Sequence, residues 1–344
     1  MSPFALFIFL SSLATGTTIT LASYHWLLAW IGLEINTLAI IPLMTKYPHP
    51  RAIEAATKYF LTQAAASALI LFSTMINSWT FGEWDIMLTS STMTTPISIA
   101  LLMKLGLAPL HFWMPEVLQG IPLSTGLILS TWQKIAPLVI LLQVSKTCNL
   151  NLMIVIGFIS IIVGGWGGIN QTQLRKIMAF SSIGHLGWMI IILKFNPDLT
   201  LFNFILYIIM TSAMFFILLL LNSTKLSQLS TSWTKTPTVT SSSMLVLLSL
   251  GGLPPLTGFA PKLLISMELI KQNSSVLAGS ILLASLLALY FYIRLTYVMT
   301  LTLAPNSSTS TTIWHFTSTL PTISITVMMA LFLLPISSTI MMLL

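Results

Sequence analysis

Four ionisable side chains lie where lipid ought to exclude them. Glu34 stands at the centre of the apolar run 24–44 and Lys134 at the centre of 122–144, while Lys104 and Lys262 lie in two further runs, each beside a proline-interrupted segment. A charge at mid-bilayer costs roughly 3 kcal/mol. A carboxylate there can bind and release a proton, or bias a neighbouring lysine through its charge. An amine held away from water is disfavoured in its ammonium form, so a buried lysine can exchange protons near neutral pH. Neither Glu34 nor Lys134 can reach an interface past about ten neighbours on either side, which leaves protonic chemistry as the better reading. For Lys104 and Lys262 a second role is open, because a lysine at a helix break can also cap freed carbonyls. Four such sites in a chain with so few charges point to an ion path.

Weaker candidates accompany them. His185 follows Ser181, Ser182 and Gly184 in mid-span, a setting with room for water, and histidine is a natural proton relay. His111 lies in the first interrupted segment and is the other possible relay. A hydrogen-bonded structural role is equally open for both. Arg294 could pair with a carboxylate or a lipid phosphate and is not expected to be a site. Glu54, Glu116 and Glu268 fall near span ends, where surface roles are expected, and His25, His49 and His315 fall in loops. The histidines are too dispersed for a metal motif.

The elements that position these groups follow from composition. Of 344 residues 56% are hydrophobic and only 6% charged, with a mean hydropathy of +0.94; a soluble chain carries about 25% charged residues. The chain is expected to be an all-α polytopic membrane protein. Its net charge of +7 is scattered without a basic stripe, so nucleic acid is not the expected partner. With a single cysteine, Cys148, it can form neither an internal disulfide nor a Cys-ligated iron–sulfur cluster. Neither G-x-G-x-x-G nor G-x-x-x-x-G-K-[ST] occurs, so no redox or nucleotide cofactor is expected in this chain. The first 21 residues carry no basic segment and read as a retained span rather than a signal or transit peptide.

At about 20 residues per crossing, the pattern predicts eleven helices: 3–21, 24–44, 55–77, 96–115, 122–144, 150–169, 177–194, 200–222, 240–269, 275–303 and 322–343. The longest loops are 222–243 and 305–319. A repeat connects the two interrupted runs. Gly-Leu-Ala-Pro-Leu-His-Phe-Trp-Met-Pro-Glu at 106–116 aligns with Gly-Leu-Pro-Pro-Leu-Thr-Gly-Phe-Ala-Pro-Lys at 252–262, an offset of 146 residues. The same offset carries the first span onto the sixth and the third onto the eighth. The predicted organisation is one membrane domain, with a five-helix half over 1–146, a second over 147–305 and a final helix within 306–344. Because five is odd, equivalent helices cross in opposite directions. Paired interrupted helices in inverted halves are the best pointer in a sequence to a transport site near the midplane. Glu34 and Lys134 have no charged counterpart one repeat later, at Phe180 and Ser280, so the line is asymmetric.

Alternate loops carry Lys46, Arg51, Arg175, Lys176, Lys225 and Lys235, with Lys58 close by; the opposite loops carry Lys146, Lys194 and Lys271. The positive-inside rule puts the first set, and with it the N-terminus, on the cytoplasmic or matrix side and the C-terminus on the other.

Four motifs together resemble the antiporter-like subunits of respiratory complex I: Trp-Ile-Gly-Leu-Glu-Ile-Asn around Glu34, Lys-Leu-Gly-Leu-Ala-Pro-Leu-His-Phe-Trp-Met-Pro-Glu-Val from Lys104, Thr-Trp-Gln-Lys-Ile-Ala-Pro around Lys134, and Gly-Gly-Leu-Pro-Pro-Leu-Thr-Gly-Phe-Ala-Pro-Lys up to Lys262. The resemblance runs along essentially the whole chain. Length and span count look like the animal form, which lacks three N-terminal helices of bacterial relatives. The resemblance implies a subunit of the proton-pumping membrane arm in the mitochondrial inner membrane. It makes Glu34 and Lys104 a coupled pair, Lys134 the central carrier, and Lys262 the exit or link to the next antiporter-like chain. NADH, FMN, iron–sulfur clusters and ubiquinone would belong to other subunits. Other membrane-arm subunits and phospholipids such as cardiolipin would be the partners. Two other readings remain open on the residues themselves: a stand-alone cation/proton antiporter of the same superfamily, and a membrane scaffold whose charges no longer function.

Overall fold

The computed structural model describes residues 2–234, 236–301, 321–337, 339 and 341. Lys235, His315, the predicted loop 305–319 and the last residues of the predicted C-terminal helix lie outside the described residues. Apart from two isolated bridges, the regular structure among the described residues is helical. Seven segments there are long and apolar enough to cross a membrane.

Contacts divide the chain into two compact units, Met1–Ser160 and Ile161–Leu344. The first contains α1 (Pro3–Ala22), α2 (Trp26–Met44), α3 (Pro50–Phe81), α4 (Ser91–Leu105), α5 (Trp113–Gly120), α6 (Leu123–Ser130) and α7 (Ile135–Val144), with a 3₁₀ turn, Trp132–Lys134, between the last two. Helix α8 (Leu150–Gly168) runs across the division. The second contains α9 (Leu174–Ile192), α10 (Pro197–Leu221), α11 (Leu226–Thr231), α12 (Pro237–Gly251), α13 (Phe259–Lys271), α14 (Ser275–Leu301) and α15 (Pro321–Phe332).

Local chemistry sets these limits. His49 Nδ1 accepts from Arg51 N–H, Pro50 opens α3, and Gly82 closes it in the left-handed region, so α3 is longer at both ends than predicted. His25 caps α2 in the same way and stacks on Trp84. Two of the three histidines expected in loops, His25 and His49, are therefore N-caps. Asn196 caps α10 ahead of Pro197. In the first unit α1 packs along α2, α3 along α4 and α5, and α4 along α7. The α1–α2 crossing is close because Gly16 and Gly32 face each other: a Cβ on Gly16 would meet the Asn36 side chain at 2.6 Å and the Gly32 carbonyl oxygen at 3.1 Å. In the second unit α10 packs against α9, α12, α13 and α15, and α14 against α12 and α13.

The two interrupted helices break alike. Helix α4 ends at Leu105 and α12 at Gly251, and α5 and α13 restart at Trp113 and Phe259, each pair 146 residues apart. Gly106 has φ +79° and Gly252 φ +76°. At each, two backbone bonds turn back into the helix: Leu107 N–H to Leu102 O at 3.1 Å and Gly106 N–H to Met103 O, then Leu253 N–H to Leu248 O at 3.3 Å and Gly252 N–H to Ser249 O. This is the Schellman closure that glycine permits. Freed carbonyls inside a membrane must find donors in protein or water. Met103 O also receives Trp113 Nε1–H at 3.2 Å, and Gly251 O receives Lys262 Nζ at 2.6 Å. Gly106→Ala would force a Cβ into the left-handed region, 3.1 Å from the Trp113 ring. It is expected to destabilise the fold by about 1–2 kcal/mol, read as a lower midpoint of thermal unfolding of the purified protein.

Candidate functional site

In the first unit, three of the predicted residues come together. Glu34 is half-buried on α2, and its Oε2 accepts from Thr37 Oγ1 at 2.9 Å. Lys104, in the last turn of α4, is 6% exposed, within electrostatic range of Glu34, and its Nζ has no hydrogen-bond partner. Lys134 closes the 3₁₀ turn and is 3% exposed. The turn forms where Pro137, lacking an N–H, cannot bond the Gln133 carbonyl and so loosens the helix at that point. Lys104 and Lys134 line one cavity of about 20 Å³ together with Asn36, Tyr59, Gln63 and Gln133. That space holds about one water molecule. The walls include amides and a phenol beside apolar side chains.

The second unit has its own polar cavity, also about 20 Å³, which brings His185 and Lys262 together with Ser181, Ser285 and Tyr292. His185, on α9, is 8% exposed, with its ring centroid 5.9 Å from that of Tyr207. The Tyr207 hydroxyl bonds Ser182. Lys262, on α13, is half-buried, and through Gly251 O it fills the capping role open to it from the sequence while also facing the cavity. His111 is different. It packs on Phe112 with Nδ1 3.2 Å from Pro109 O in the first break, and it lines neither cavity.

Glu54 and Glu116, expected at the surface, are exposed, whereas the Glu268 side chain is only 17% exposed. Lys58 Nζ bridges Glu54 and Glu116 at 2.6 Å each, all three well exposed; Glu268 lies 3.7 Å from Lys271. Arg294 Nη1 donates to Ile169 O and to Asn170 Oδ1, anchoring α14 to the end of α8. The neutral wall of the first cavity, Asn36, Gln63 and Gln133, and Tyr207 and Tyr292 of the second unit are not among the residues expected from the sequence. Each is a polar side chain inside an apolar run, the same signal that singled out the charges.

Residues 23–288 match the family described as NADH:quinone oxidoreductase/Mrp antiporter, TM, and residues 289–341 match the NADH dehydrogenase subunit 2 C-terminus. The chain belongs to the NADH:quinone oxidoreductase/Mrp antiporter family. Within that family it is 68% identical to the NADH-ubiquinone oxidoreductase chain 2 of Aquarana catesbeiana, with all of both chains covered, and 57% identical to that of Xenopus laevis over 98% of this chain and 99% of the other. A chain in the structure of respiratory complex I from Thermus thermophilus superposes with TM-score 0.84 at 25% identity, covering 100% of this chain and 78% of that one. The Mrp complex of Dietzia shares the fold alone, at TM-score 0.76 and 18% identity over 82% of this chain and 58% of the other.

Proposed function

We propose that this chain is a core membrane-arm subunit of respiratory complex I in the mitochondrial inner membrane. It translocates protons while other subunits carry electrons from NADH through FMN and iron–sulfur clusters to ubiquinone. The observation that carries the reading is the shared cavity of Lys104 and Lys134, two amines buried in an amide-walled space with Glu34 beside it. A proton reaching one amine changes the electrostatic cost of protonating the next. Glu34 and Lys104 act as the coupled pair, Lys134 as the central carrier, and Lys262 with His185 as the site in the second unit; His111 is left with a structural place in the first break.

The reading extends to topology. Among the described residues, counting α4–α5, α6–α7 and α12–α13 as one crossing each and leaving out the six-residue α11 gives eleven, arranged as two inverted five-helix halves and a final helix. The common breaks after Leu105 and Gly251 support this arrangement. The basic loops put the N-terminus on the matrix side and the C-terminus on the intermembrane-space side. Neighbouring antiporter-like chains and phospholipids such as cardiolipin complete the surroundings. The experiment is a native gel of solubilised mitochondrial membranes: the chain is expected to migrate with NADH dehydrogenase activity in one large complex. Migration alone, with sodium or potassium exchange by the isolated chain, would instead make it a stand-alone antiporter.

A further inference from the structure

The amides around the first cavity are assigned no part in the mechanism above, yet they are the feature of this unit hardest to explain as packing. Asn36 is 2% exposed and Gln63 3% exposed, and both line the cavity that Lys104 and Lys134 share. Asn36 Oδ1 and Nδ2, Gln63 Nε2 and Lys104 Nζ all lack a hydrogen-bond partner. Nearly all buried polar atoms in folded proteins are satisfied, and a group of exceptions calls for an explanation. Four such atoms, on residues of three helices, α2, α3 and α4, that line one space sized for about one water, share a single one: a bridging water, which accepts two hydrogen bonds and donates two. The backbone holds the wall in place. Gln133 Nε2–H donates to Asn36 O at 3.2 Å, tying the 3₁₀ turn that carries Lys134 to α2. From the other side, Gly16 of α1 leaves room for the Asn36 amide, since any Cβ there would collide with it.

We infer that Asn36, with Gln63, is a positioning residue for proton transfer between Lys104 and Lys134: its amide orients the water that connects the two amines. An amide suits the task because it both donates and accepts yet does not titrate, so it directs a proton without trapping it. Leucine at the same place would present a side chain of similar size with no polar atom. The inference rests on the proton-translocation reading given above.

The test uses the assembled complex in proteoliposomes, comparing proton uptake per NADH oxidised and its rate in ordinary and deuterated water. Asn36→Leu is expected to lower the translocation rate on the order of tenfold and to enlarge the solvent isotope effect, with the complex still assembled on a native gel. Asn36→Ser, which restores a donor and an acceptor and leaves space for a further water, is expected to recover most of the rate. A packing role would predict the reverse order, with leucine tolerated and serine harmful, and that order would overturn the inference. So would normal isotope effects in every assembled variant. Lys134→Met measured alongside separates the two claims. If it pumps normally, the functional reading itself fails; if it is inactive while Asn36→Leu pumps normally, only the role of Asn36 falls.

Discussion

Lys134→Met is expected to remove proton translocation by the assembled complex on the order of 10²-fold, the scale of losing a positioned proton donor and acceptor. Methionine fills similar volume, and replacing a buried charge with a well-packed apolar group is often neutral or stabilising, so assembly is expected to persist. The more telling variant is Lys134→Arg. Arginine keeps the positive charge but does not release its proton in a protein. If Lys134 served only to balance local charge, arginine would restore function. If it carries the proton, arginine will be as inactive as methionine. The position makes the comparison clean, because Lys134 is 3% exposed and closes a 3₁₀ turn. Full pumping by Lys134→Arg, measured as proton uptake with NADH as donor, would remove Lys134 from the path.

Much of this site could be read before any fold was known, for one physical reason. Lipid penalises charge, so Glu34, Lys104, Lys134 and Lys262 stood out against an apolar background. Glycine and proline at fixed spacing likewise announced the breaks after Leu105 and Gly251. What stayed hidden depended on contacts between distant segments. Asn36 and Gln63 carry no charge, and nothing in one helix says that their amides meet Lys104 around a common space. A proline such as Pro137 disturbs any helix that holds it, but the 3₁₀ turn that it accompanies, and the placing of Lys134 at the end of that turn, depend on how α6 and α7 pack. The bridge from Lys58 to Glu116 spans 58 residues and brings α3 against α5. The two histidines looked alike in sequence and part in the fold, His185 to a cavity and His111 to a loop carbonyl. The helix ends of α3 were legible in principle, since His49, Pro50 and Gly82 are cap residues, but hydrophobicity alone placed them too far inward.

Glu34→Gln and Lys104→Met are each expected to slow proton translocation about tenfold, and the double variant is expected to be no slower than the worse single one. The Thr37 hydroxyl donates to Glu34 Oε2 at 2.9 Å. Glutamine offers an amide oxygen in the same place, so Glu34→Gln removes the charge while leaving the local bond. At an effective dielectric near 20, two unit charges interact by about 4 kcal/mol at 4 Å, falling in inverse proportion to distance, while a tenfold change in rate needs only about 1.4 kcal/mol. With Glu34 neutral, the buried Lys104 Nζ has neither a hydrogen bond nor the carboxylate charge beside it. With Lys104 gone, the charge on Glu34 has nothing to act upon, so removing it as well costs little more. Residues that work as a pair show such non-additivity, and independent residues do not. Rates that multiply in the double variant, near a hundredfold loss, would mean that Glu34 and Lys104 act separately, and the coupled pair would have to be abandoned.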